Sequence, residues 1–345
     1  MIAGMPPPWQ STPPAQKLAP LTTPLARAVR WLPAALLGYV CVCSAACVVL
    51  LVLLPTSGLA APLGRTGSLP WVSPVGGCCL LAAYALLWAL AIASAVTAVR
   101  VPPGHIPLWL YSREPGDQAY FHNVLQAVEK KLDGSLRFCR KCGAFKPDLS
   151  HHCRQLGLCI LCYQHWDLWA NNAIGFYNYK AYLLALFYGA LAHAAGAMLL
   201  LPFAAATLHG GTTDPLGAAA ALDLHVAVLG LLAGGDASVP AFGALTLTAS
   251  VLLGGGCALW LLFHAALIAA GSTAHTCFRQ GGCLRQKPPK QPIPGQPFDF
   301  GPRGNFGRAC GRHPLLWLLP TNQGVEGNGI FFELRGTDEP WSRYK

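Results

Sequence analysis

The chain has 345 residues, of which 53% are hydrophobic and only 11% charged, against roughly 25% charged in an ordinary soluble domain. That shortage of charge excludes a soluble globular enzyme and a disordered chain alike, and it points to an integral membrane protein. Lys and Arg number 24 against 14 Asp and Glu, a formal net charge of +10. In a membrane protein such an excess marks cytosolic loops, and with no nucleic-acid motif in the chain it is not read as a footprint for nucleic acid.

Residues 1–30 form a Pro-rich tail with Lys17, Arg27 and Arg30 and no acid. It lacks the short apolar core and small-residue cleavage site of a signal peptide, so the first apolar run is read as retained and the tail as a disordered cytosolic segment. About 20 apolar residues suffice to span a bilayer, and four uncharged runs meet that length: residues 31–54, Gly67–Val99 (most membrane-like over 76–98), Ala181–Thr207 and Ala244–Ala270. Residues 217–234 are also apolar, but Asp223 and His225 interrupt them. An acid at mid-membrane costs roughly 2.5 kcal/mol or more, so this stretch is read as a loop or re-entrant segment. Four spans then place all the Lys and Arg except Arg65 on one side, which the positive-inside rule makes cytosolic. The expectation is an all-α polytopic membrane protein with both termini cytosolic. Its segments are the tail (1–30), transmembrane helices 1–2 (31–99), a cytosolic cysteine-rich domain (100–180), transmembrane helices 3–4 with a luminal loop (181–271) and a cytosolic C-tail (272–345).

Five of the fourteen cysteines fall at Cys139, Cys142, Cys153, Cys159 and Cys162. The cytosol keeps thiols reduced, which disfavours a disulfide framework there. Cys139 and Cys142 form a CxxC pair, followed by His152 and Cys159. Three soft thiolates and an imidazole suit one tetrahedral zinc ion, and four protein ligands leave no open position, so the site reads as structural. One zinc per chain is expected.

Residues 138–182, FCRKCGAFKPDLSHHCRQLGLCILCYQHWDLWANNAIGFYNYKAY, resemble the cysteine-rich domain of the DHHC-type protein S-acyltransferases, the palmitoyltransferases. The matching positions are Cys139, Cys142, Lys146-Pro147, His152-Cys153, Cys159, His165, Trp169, Asn172, Gly175 and Asn178. Pro103-Gly104 and the tail 297–320, with Asn305, resemble further family elements. The resemblance implies transfer of an acyl chain from acyl-CoA, typically palmitoyl-CoA, to a protein cysteine. It also implies contact with the lipid bilayer, client membrane proteins or an active family acyltransferase, and an endoplasmic reticulum or Golgi membrane.

Two departures from the family pattern bear on activity. The resemblance implies two zinc sets, but the second maps onto Cys153, Leu156, Trp166 and Ala173, one ligand of four, so this site reads as lost and Leu, Trp and Ala as filler for a small apolar core. The catalytic signature reads Gln164-His165-Trp166-Asp167, with Asp167 at the catalytic cysteine's position. A carboxylate acylated by a thioester would become a mixed anhydride, which is uphill, whereas an acyl-cysteine conserves the thioester energy. Gln164 is expected to hydrogen-bond His165 without the charge that an Asp would supply. The chain therefore reads as a catalytically impaired homologue acting as a regulator or as an acyl or client binder. In a second reading Ser150-His151-His152-Cys153 is the signature, with Cys153 the nucleophile and His151 its base. In a third the chain is a scaffold without acyl binding.

Overall fold

A computed structural model describes residues 31–49, 53, 72–111, 118–125, 127–131, 133–209, 238–279, 298–321, 325 and 327–332. In chain order the elements are α1 (Leu32–Val48), α2 (Pro74–Arg100), α3 (Gln118–Leu125), β1 (Phe138–Cys139), β2 (Ala144–Phe145), β3 (His151–Cys153), β4 (Leu158–Ile160), β5 (His165–Asp167), β6 (Asn172–Ile174), α4 (Tyr179–His209), α5 (Ser238–Ala269), α6 (Ala274–Arg279) and α7 (Gly301–Cys310). They divide into two compact units. One comprises Met1–Ala34, Ser94–Leu184 and Leu262–Lys345, the other Ala35–Ala93 and Ala185–Leu261.

Among the described residues three helices are long and apolar enough to cross a membrane: Pro74–Arg100, Tyr179–Leu201 within α4 and Leu245–Ala269 within α5. α1 has 17 residues, with its apolar stretch at Leu37–Ala46. Four spans were expected; residues 50–52 and 54 of the first, and the whole of 217–234, lie outside the described residues. Within the second unit Val48, Leu53, Tyr84 and Leu200 are buried together, and the Ser44 and Ser250 hydroxyls meet at 2.8 Å. Met198 and Leu259 point outward, 71% and 72% exposed, as helix faces solvated by lipid tails do.

The first unit is not helical throughout. Against the all-α expectation, residues 138–174 form three two-stranded antiparallel hairpins, β1–β2, β3–β4 and β5–β6. In the first hairpin the physical reason is the ligand spacing, because Cys139 and Cys142, separated by two residues, straddle a tight turn. Gly143, Gly157 and Asn171, at 14-residue intervals, take positive φ of 66°, 68° and 45° in the three turns, the backbone region that glycine and asparagine tolerate best. The same interval separates Cys139, Cys153 and Asp167, so these three occupy equivalent hairpin positions. Beneath the first hairpin Ile106, Leu110, Leu136, Phe145 and Leu161 are fully buried, and Phe121 of α3 packs its ring 4.5 Å from that of Phe145.

Asparagine side chains tie the hairpins and α7 to the ends of apolar helices. A helix leaves its last carbonyls without partners. Asn178, fully buried, donates to the Ala98 carbonyl at 3.1 Å and the Ala173 carbonyl at 2.9 Å, and accepts from the Gly175 N–H at 2.9 Å. Asn172 donates to the Val99 carbonyl at 3.1 Å. Asn305 donates to the Ala269 carbonyl at 3.1 Å and to Asp299 at 2.8 Å. Gly175 has no room for a side chain: a Cβ there would lie 2.7 Å from the Pro103 carbonyl oxygen and 2.9 Å from that of Leu161. Asn178→Ala orphans one buried donor and two buried acceptors, so it should cost about 3 kcal/mol. Thermal unfolding in detergent checks this, and Asn178→Asp, which keeps an acceptor for the Gly175 N–H but has no donor for the two carbonyls, should be no better than Asn178→Ala.

Candidate functional site

The first two hairpins bring Cys139, Cys142, His152 and Cys159 together, with one ligand atom from each and all four atoms within 4.8 Å of one another. His152 Nδ1 lies 3.6, 3.2 and 3.9 Å from the sulfurs of Cys139, Cys142 and Cys159. In a tetrahedral site with Zn–S of about 2.3 Å and Zn–N of about 2.05 Å, the S···N separation is about 3.6 Å. The donor set therefore fits zinc in both chemistry and size. Electrostatics agree. Hydrogen bonds from Cys142 and then Cys159 pull the Cys139 thiol well below its ordinary range, while Cys139 pushes Cys142 up to about 11 and Cys139 and Cys142 push Cys159 up strongly. Three thiols this close cannot all ionise without a cation among them. The three cysteines are buried and His152 is half-buried.

Cys153, Leu156, Trp166 and Ala173 also meet, in an apolar cluster with Ile160, Tyr163 and Leu158. Leu, Trp and Ala supply no ligand atom, so this lobe is held by packing where the first is suited to an ion. Cys153 is 1% exposed, its thiol directed at the Gln155 side-chain oxygen 3.5 Å away. His151 stacks against His275, ring centroids 3.6 Å apart.

Asp167 closes β5 and is buried. Its Oδ1 accepts from the Ala170 N–H at 2.7 Å, and its Oδ2 accepts from the Tyr182 hydroxyl at 3.0 Å. His165, two residues earlier on the same strand face, places Nε2 3.6 Å from Oδ2. Burial alone would raise the Asp167 carboxyl, but hydrogen bonds from His165, the Ala170 N–H and Tyr182 outweigh it and hold it below its ordinary value. At neutral pH Asp167 is a carboxylate. Gln164 is placed differently from expectation. Its side-chain oxygen accepts from the Ala274 N–H at 2.9 Å, and its nitrogen donates to the Cys162 carbonyl at 3.3 Å. The first turn of α6 offers N–H groups with no helical partner; Gln164 takes one, and Thr273 takes that of Thr276 at 3.2 Å. His165, Trp166, Tyr163, His151, His275 and Phe278 line a cavity of about 550 Å³.

Sequence reasoning missed the groups around Asp167. The structure pairs His264 Nδ1 with the Tyr179 hydroxyl at 2.9 Å and sets its ring 5.3 Å from that of His165. The signal available was the position of the polar residues: Tyr179 and Tyr182 open α4, and His264 lies one turn from the end of α5.

The family model for the DHHC palmitoyltransferase matches residues 133–280. The chain is similar to the probable protein S-acyltransferase 13 of Arabidopsis thaliana, at 28% identity over 68% of each chain. It is similar to palmitoyltransferase ZDHHC15A of Danio rerio, at 31% identity over 65% of this chain and 62% of the relative. It is also similar to palmitoyltransferase PFA3 of Yarrowia lipolytica, at 30% identity over 61% of this chain and 52% of the relative. The chain thus spans half to two thirds of the length of these curated relatives. With its hairpins and its Cys3His cluster, the segment 133–280 is a match to the DHHC palmitoyltransferase family model, and it carries Gln164-His165-Trp166-Asp167 in place of the signature.

Proposed function

We propose that this protein binds long-chain acyl-CoA at the membrane surface but does not carry the acyl chain on a cysteine at the family's catalytic position. It acts instead as a regulator of an active family acyltransferase or as an acyl or client binder. The observation that carries this reading is Asp167, a buried carboxylate held by Ala170 and Tyr182, where an acyl-transferring thiol would have to stand. The proposed topology has both termini and residues 100–180 in the cytosol, four spans, and a luminal loop between the third and fourth; the endoplasmic reticulum or Golgi is the proposed membrane. The Cys3His cluster holds one structural zinc ion.

The reading in which Cys153 is the nucleophile is opposed by its burial in the second lobe. A thiol enclosed by Tyr163 and Trp166 must leave its core before it can meet a thioester. A photoreactive palmitoyl-CoA analogue tests binding: label competed by palmitoyl-CoA is expected, and no competed label would leave the scaffold reading standing. Hydroxylamine-sensitive autoacylation tests the thiol. We expect the parent and Cys153→Ser to stay alike at background, whereas label in the parent that Cys153→Ser abolishes would restore the second reading.

A further inference from the structure

We propose that His165 and Asp167 form a general-base pair that hydrolyses a long-chain acyl thioester directly, with water in place of the missing cysteine. This rests on the acyl-CoA binding proposed above and adds an activity to it. The geometry has three parts. His165 lines the 550 Å³ cavity, within the size range of small-molecule sites; both its ring nitrogens are covered, so a bound thioester and its water must open Nδ1 to the cavity before it can act as a base. Asp167 Oδ2 lies 3.6 Å from His165 Nε2, a spacing that catalytic pairs without substrate commonly show before they tighten. Asp167 is itself fixed from two directions by the Ala170 N–H and the Tyr182 hydroxyl, as an orienting carboxylate must be.

In the reaction the oxygen of a water molecule attacks the thioester carbonyl carbon, and its proton passes to His165. The tetrahedral adduct collapses with cleavage of the C–S bond, and the imidazolium returns the proton to the departing CoA thiolate. Acyl-CoA and water give a fatty acid and CoA, with no redox change and no covalent enzyme intermediate. Asp167 stays ionised throughout and stabilises the imidazolium. His165 is the catalytic residue, and Asp167 and Tyr182 are positioning residues.

The test uses the purified full chain in detergent micelles with radiolabelled palmitoyl-CoA, free palmitate being resolved by chromatography. A second arm uses an S-palmitoylated peptide, which decides whether CoA or protein thioesters are the source. Palmitate release above that of heat-denatured protein is expected. His165→Asn should lower it at least tenfold, within the range of roughly a hundredfold to ten-thousandfold for a general base. Asp167→Asn should lower kcat at least tenfold with KM unchanged, a split that a general loss of folding would not produce. Tyr182→Phe, which keeps the packing and removes one hydrogen bond, should fall in between. Release at the denatured level in a protein that still crosslinks acyl-CoA overturns the hydrolase and leaves acyl binding intact. Absence of both release and crosslink overturns the two together. Parent-like kcat in Asp167→Asn overturns the pair.

Discussion

Purified from a zinc-replete host, the chain will carry about one zinc ion, and Cys139→Ser or His152→Ala will carry almost none. The four ligand atoms within 4.8 Å of one another are the only such His, Cys, Asp or Glu group among the described residues, and the second lobe offers an apolar cluster where the family has its other site. The expected consequence for folding is large. Structural zinc contributes on the order of 10 kcal/mol or more, which is comparable with the whole stability of an ordinary domain. The first two hairpins have strands of only two or three residues, too short to persist by pairing alone. Loss of the ion should therefore expose residues 133–174 to limited proteolysis while the apolar helices stay in the micelle. Elemental analysis and protease mapping measure both effects. Two ions per chain, or Cys139→Ser with parent-like zinc and protection, would contradict this. Chelation of the parent should reproduce the mutant pattern, and Cys153→Ser should retain its ion.

The ligand set was legible because metal-binding turns are local. Cys139 and Cys142, three positions apart, followed by His152 and Cys159 seven apart, state their chemistry in the sequence alone. The same locality made the second lobe legible, since Leu156, Trp166 and Ala173 have no atoms to offer a metal and every reason to pack. The hairpins were not legible as strands, because two or three residues give no alternation to read. The surroundings of Asp167 were hidden for the opposite reason. Tyr182, Tyr179 and His264 reach the site from the ends of two apolar helices, with His264 almost a hundred residues further along the chain, and no spacing rule connects them. Gln164 was placed with His165 because neighbours in sequence were the only partners in view. The structure supplied a stronger one, the unpartnered N–H of Ala274.

Asp167→Cys should turn a chain with background label into one with hydroxylamine-sensitive autoacylation at least tenfold above it, when incubated with labelled palmitoyl-CoA. The argument is energetic. Acyl transfer from a thioester to a thiol is nearly balanced, whereas transfer to a carboxylate makes an anhydride that water destroys, so only the side chain at 167 has to change for a covalent intermediate to persist. His165 is already beside that position and can take the thiol proton. The substitution also removes two hydrogen bonds, leaving the Tyr182 hydroxyl and the Ala170 N–H without their acceptor, and should cost about 2 kcal/mol of stability. Gln164→Asp added to Asp167→Cys tests how the base is oriented. A carboxylate at 164 can still accept from Ala274, but it cannot donate to the Cys162 carbonyl as the side-chain amide does. The double variant should therefore be less stable than the single one, and it should label faster only if the new carboxylate swings to His165. If the parent labels strongly and the label vanishes in Asp167→Asn, the carboxylate itself accepts acyl groups and the impairment argued from its chemistry is wrong. If Asp167→Cys folds, holds zinc and crosslinks acyl-CoA yet remains unlabelled, the fault lies in the second lobe: packing by Leu156, Trp166 and Ala173 would not hold β5 as the family's second ion does.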